Sequence, residues 1–125
     1  MRVLKGKVIT GTSTFSYWID KLQDYYYTKT GMNLFPGTLN IELDRGYSIP
    51  ERVIRLEKEE YGGTVSVNIV ACSILGRKAF ILRTEKYETE REDDQKTIIE
   101  VATDIKLRDK YKLKDGDLIE VEVFE

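Results

Sequence analysis

The sequence predicts a mainly β fold, a small closed barrel carrying one or two short α-helices. Several short stretches alternate apolar and polar side chains, the period of a strand. Glycine- and proline-bearing turn segments separate them at close intervals, and only two stretches carry helical spacing. No repeat, linker or low-complexity segment divides the 125 residues, so residues 1–125 read as one domain with one core.

Residues 1–9 read as a strand, with Val3, Leu4, Val8 and Ile9 apolar around Gly6. The small, hydroxyl-rich segment from Thr10 to Ser16 then opens into a helix. Trp18, Leu22, Tyr25 and Tyr26 fall at i, i+4, i+7 and i+8, with Asp20, Lys21 and Asp24 on the wet side. Ser16 is the expected N-cap and Gly31 the stop. Tyr25 and Tyr26 are expected in the core. A loop entering a helix exposes unpaired N–H groups and the positive end of the dipole, a natural site for phosphate.

Pro36 and Gly37 form a turn, since proline presets one backbone angle and glycine permits a tight bend. The next strand sends Leu39, Ile41 and Leu43 one way and Thr38, Asn40 and Glu42 the other. Three oxygen donors in a row could hold a hard cation such as Mg²⁺. The more ordinary reading of the same spacing is the wet side of a strand.

Asp44-Arg45-Gly46 and Ile49-Pro50 break the chain, and residues 53–57 resume as a strand. Tyr61-Gly62-Gly63-Thr64 signals a hairpin. Val65, Val67 and Ile69 then alternate with Ser66, Asn68 and Val70, a strand expected to be buried on one side. Gly76-Arg77 reads as a two-residue turn into residues 78–83. Residues 84–96 are dense in charge and read as a solvated loop, with residues 85–94 conceivable as a lid. A strand at 97–102, a short helix at 106–111, a turn at Asp115-Gly116 and a last strand at 118–123 complete the chain.

Charged residues make up 34% of the chain and hydrophobic ones 41%, a composition for a folded chain. Twenty basic against 22 acidic residues leave a net charge of −2. That balance lacks the electropositive face of non-specific nucleic-acid binding, so no nucleic-acid partner is expected. No apolar run is long enough to span a bilayer, no signal-peptide core is present, and a cytoplasmic location is expected. The single cysteine, Cys72, is expected to be buried and inert. There is no histidine, which removes the commonest general base and transition-metal ligand. The chemistry therefore rests on carboxylates, hydroxyls, amides, backbone groups and cations.

The run Gly31-Met32-Asn33-Leu34-Phe35-Pro36-Gly37-Thr38-Leu39-Asn40-Ile41 has company downstream. Ile99-Glu100-Val101-Ala102, Leu107-Arg108 and Leu113-Lys114-Asp115-Gly116-Asp117 follow at fitting intervals. Together these blocks resemble the archaeal-type, CTP-dependent riboflavin kinases. The resemblance implies a six-stranded cradle-loop (RIFT-like) β-barrel with the nucleotide site in its long loops. It implies transfer of the γ-phosphoryl group of CTP to the riboflavin 5′-hydroxyl, giving FMN and CDP. Thr38 and Asn40 match the positions that hold Mg²⁺, and Gly11, Thr12, Ser13 and Thr14 occupy the place of the loop that cradles phosphates. Gly37 would give backbone clearance beside the metal. Glu100 keeps its place in the matching block and is the expected catalytic carboxylate for the acceptor hydroxyl, a structural role being the alternative. Arg108 would neutralise nucleotide phosphate charge, or pair with Asp104 or Asp115.

The chain departs from the family pattern in three places. The glycine-rich loop is reduced to Gly11, the charged segment is longer and lacks a histidine, and Asp104 stands where the motif has proline. The altered loop motivates a second class, a non-catalytic binder of nucleotide or flavin. A third, a DNA-binding cradle-loop barrel, runs against the acidic balance.

Overall fold

The computed structural model describes residues 1–11 and 14–124. Its strands are β1 (Arg2–Ile9), β2 (Leu39–Leu43), β3 (Ile54–Leu56), β4 (Val67–Ile74), β5 (Arg77–Thr84), β6 (Ile98–Ala102) and β7 (Leu118–Val123). By pairing, β4, β5, β6, β2, β1 and β7 form a six-stranded antiparallel ring, which closes where β7 returns to β4. The seventh strand, β3, lies outside the ring. It pairs with residues 67–69 of β4, while β7 pairs with residues 72–74.

A ring this narrow is filled by side chains. Val8, Ile41, Ile81, Ile99, Val121 and Val123 point inward and are fully buried. Cys72 lies among them, and burial pushes its thiol up to about 12. A second core covers the outer face of β4, β5 and β6. There α1 (Thr14–Lys21) and α2 (Gln23–Thr30) press Phe15, Ile19 and Tyr26 against Ile69, Phe80 and Leu82. Residues 66–70 are consequently buried on both faces, not on one as the alternation implied.

The helical segment also differs from expectation. It begins at Thr14, ahead of Ser16, and breaks at Leu22, whose φ of −111° and ψ of 29° leave the helical region. Its inward stripe is Phe15, Ile19 and Tyr26 with the half-buried Leu22, at i, i+4, i+11 and i+7, and it shares Leu22 and Tyr26 with the stripe read from Trp18. Trp18 and Tyr25 are instead 43% and 40% exposed, and their rings meet Tyr61 at the helix margin. Gly31 does end α2, at φ 72°, with its N–H on the Tyr27 carbonyl.

Two turns move as well. Leu75 and Gly76 both have positive φ, 52° and 74°, so they are the central pair of the β4–β5 turn, one position before Gly76-Arg77. The β3–β4 connection is longer than a tight hairpin. It contains a 3-10 turn at Lys58–Glu60, closed by a reciprocal cap between Glu57 and Glu60.

Residues 84–96 are not an irregular loop. They form α3 (Glu85–Thr89), capped by the Thr84 hydroxyl, and a 3-10 turn at Asp93–Gln95. The cause is Arg83, which faces inward at one end of the barrel. Its guanidinium donates to the carbonyls of Tyr47 and Ile98 and to Glu88, whose other oxygen accepts from Lys96. The Tyr47 and Tyr87 rings flank it. The remaining helix is α4 (Leu107–Tyr111). No helix among the described residues is long and apolar enough to cross a membrane.

The Arg83 side chain is only 2% exposed. Arg83→Met should therefore take the donor from Glu88 Oε1 and from the Tyr47 and Ile98 carbonyls, costing about 3 kcal/mol. Urea denaturation of the two proteins measures that difference.

Candidate functional site

Register decides which polar groups meet. Asn40 on β2 lies opposite Ile9 of β1 and Glu100 of β6, so all three share the outer face. Their neighbours Leu39, Ile41, Ile99 and Val101 point into the ring. Thr38, just ahead of β2, donates from Oγ1 to Glu100 Oε1 at 2.7 Å.

A cleft of about 370 Å³ opens between the end of β1, residues 35–40 and the entry to α4. Gly11, Gly37, Thr38, Asn40 and Arg108 all line it, with Phe35 on one wall. Gly11 packs directly on Asn40: a Cβ at Gly11 would lie 2.3 Å from the carboxamide. Any other residue there would push the Asn40 side chain aside. Gly37 sits under the Phe35 ring, its N–H on the Phe35 carbonyl at 2.8 Å.

Arg108 takes the Asp115 partnership and not the Asp104 one. It donates to Asp115 and, at 3.0 Å, to the Ile9 carbonyl, while Thr10 donates to the other Asp115 oxygen at 2.6 Å. The Thr10 hydrogen bond, then Arg108, hold the Asp115 carboxyl below its usual range. These bonds fasten the end of β1 to the α4–β7 turn. Asp104 pairs with Arg77 at 3.0 Å.

Not every expected residue shares this cleft. Glu42 reaches Lys7 at 3.8 Å and does not line it, which reduces the three-donor row to Thr38 and Asn40. Thr12 and Ser13 lie outside the described residues. Thr14 opens α1 and lines an adjoining trough of about 210 Å³, together with Phe15, Leu82, Thr84, Tyr87 and Glu100. Glu100 therefore stands on the far side of its bond with Thr38. Burial raises the Glu100 carboxyl above the usual carboxylate range, and the Thr38 hydrogen bond opposes that only in part.

Phe35, Ile105 and Lys106 line the cleft without having been singled out from the sequence. A basic residue two positions before Arg108 was the available signal for Lys106.

The donor set suits a hard cation that arrives already bound to an anionic ligand such as a phosphate. Among the described residues no three acidic, histidine or cysteine side chains cluster. Thr38 and Asn40 offer neutral oxygens, and Mg²⁺ is commonly held by few protein ligands plus substrate phosphates. The missing side chain at Gly11, which leaves room for the Asn40 carboxamide, fits that role.

Comparison with known proteins bears on this cleft. The family described as "Domain of unknown function DUF120", whose label denotes CTP-dependent riboflavin kinases, matches residues 8–123. A riboflavin kinase of Methanocella arvoryzae is 33% identical over 95% of this chain and 56% of its own length. One from Pyrobaculum aerophilum is 34% identical over 96% of this chain and 60% of its own length. A shorter one from Staphylothermus marinus is 23% identical over 98% of this chain and 92% of its own length. The chain thus spans little more than half the length of the first two relatives.

The raised carboxyl has a stability consequence. Between the usual carboxylate range and its own elevated value, Glu100 binds a proton more tightly folded than unfolded, so stability falls as pH rises through that window. Glu100→Gln should raise the melting temperature at neutral pH, and the gain should vanish once the solution is acid enough to protonate the unfolded carboxylate. Melting curves across pH test this.

Proposed function

The chain belongs to the family of CTP-dependent riboflavin kinases, and from that membership we propose that it transfers the γ-phosphoryl group of CTP to the 5′-hydroxyl of riboflavin, yielding FMN and CDP. The observation that carries this reading is the convergence of Gly11, Thr38 and Asn40 on one cleft, with Thr38 hydrogen-bonded to the half-buried carboxyl of Glu100. Phosphoryl transfer of this kind has a loose transition state, so catalysis consists mainly of alignment and charge neutralisation.

Thr38 Oγ1 and the Asn40 carboxamide oxygen would hold Mg²⁺. Bound there, the ion would neutralise charge on the phosphate oxygens. Gly11 and the residues after it, Thr12, Ser13 and Thr14, are assigned to the phosphates. Gly37 leaves the backbone clear beside them. Arg108 adds positive potential while Asp115 holds it in place. Glu100, as carboxylate, accepts the proton of the acceptor hydroxyl as its oxygen bonds to the γ-phosphorus. The bond from that phosphorus to the bridging oxygen breaks, and CDP leaves.

Purified protein with riboflavin, Mg²⁺ and either CTP or ATP should produce FMN with CTP, read by chromatography. Saturable binding without FMN would make it a silent binder, and retention on duplex DNA at physiological salt a DNA module. Asn40→Ala should lower turnover about 100-fold, as loss of one oriented transition-state contact does. Its melting temperature should move by less than about 4 °C, under about 1 kcal/mol, because the side chain supports no core. Gly11→Ala should act in the same direction by displacing the Asn40 carboxamide.

A further inference from the structure

We propose that the outer face of β1 and β7 is the contact surface of a two-fold dimer, its partner being a second copy of this chain. The assignment stands apart from the kinase reading, since Val3, Lys5, Leu118 and Glu120, which carry it, do not line the cleft.

This face is bare where the opposite side of the barrel is covered. α1 and α2 lie over β4, β5 and β6, whereas β7 alternates exposed and buried side chains from end to end. Apolar groups nevertheless collect on the bare side. Met1, Val3, Leu75, Leu118 and Phe124 are all exposed, Leu118 by 88% although it stands within a strand. The open face of an antiparallel sheet ordinarily turns polar side chains to water, and apolar groups gathered there mark a surface that something covers. A hollow of about 750 Å³ crosses the face, bordered by Lys5, Leu118 and Glu120 on one side and by Ser73 and Leu75 on the other.

Charge decides what kind of partner fits. In register, Val3 stands opposite Glu122, Lys5 opposite Glu120 and Lys7 opposite Leu118. β1 therefore presents a row of cations and β7 a row of anions beside it. Lys7 reaches Glu42 on its other flank. Among the described residues, the side chains of Lys5, Glu120 and Glu122 make no ion pair or hydrogen bond, so their charges remain available.

A surface whose two halves carry opposite charge is its own complement. A two-fold axis lying along the strands, between β1 and β7, sets the β1 of each copy over the β7 of the other, an isologous contact. Lys5 then faces Glu120 of the second copy, and the same pair forms again on the other side of the axis. Leu118 meets Leu118 at one end and Val3 meets Val3 at the other. A partner of a single charge, such as a nucleic acid, would leave one of the two rows facing its own sign.

Sedimentation tests this. The wild-type protein should sediment as a dimer at micromolar concentration, and salt should loosen it. Lys5→Glu and Glu120→Lys should each weaken the dimer at least about tenfold, because each sets like charges face to face. Mixed in equal amounts, the two variants should recover a heterodimer, each supplying the charge the other lacks. Leu118→Ser should weaken the dimer with no change of charge. All three side chains are exposed, and melting curves confirm that the variants fold. A wild-type protein that stays monomeric up to millimolar concentration would overturn the assignment. So would a dimer that neither charge reversal loosens, or a mixture of the two variants that remains monomeric.

Discussion

A ring of six strands leaves no lumen, and each strand must send alternate side chains into a common apolar interior. The polar chemistry of this protein depends on that constraint. With Leu39, Ile41 and Leu43 turned inward on β2, Asn40 has no choice but to face out. With Ile99 and Val101 inward on β6, Glu100 faces out beside it. A slip of one residue in either strand would bury that strand's polar group in the barrel and expose its share of the filling. The precision of the site is thus inherited from the packing beneath it.

Polar groups in this fold fall into two kinds. Arg83, Glu88 and Lys96 bond one another and the surrounding carbonyls, and together they close one end of the barrel. Thr38, Asn40 and Glu100 form the other kind. Their mutual bond is single, and they line open space on either side of it. A carboxyl whose ionisation is opposed by burial does not serve stability, and such departures gather where a protein acts on a ligand.

How much of this was legible followed from how local each determinant is. The bend at Pro36 and Gly37 and the alternation after it lie within a few residues, so β2 and its two faces could be read directly. The last strand, whose six residues alternate cleanly, could be read the same way. The phase of the first helix could not. Two stripes of equal period compete there, both rich in aromatic residues, and only the outer face of β4–β6 selects Phe15, Ile19, Leu22 and Tyr26. Arg83 was hidden for a different reason: a charged residue in a strand reads as outward until Tyr47, Glu88 and Ile98 arrive from elsewhere. The separation of Glu100 from Thr38 and Asn40 into adjoining cavities is likewise a product of tertiary packing, and no spacing encodes it.

The strand pairing carries a consequence for assembly. The β4–β5 hairpin joins eight residue pairs through a two-residue turn, so it can zip from contacts close in sequence. Pairing β1 with β7 instead joins segments separated by nearly the whole chain, a slow, entropically costly encounter. The cleft is assembled from β1, β2 and the approach to α4, where Arg108 bonds the carbonyl of Ile9, and so needs a long-range closure of its own. A molecule lodged in it would act as a clasp across that long-range joint, slowing its reopening.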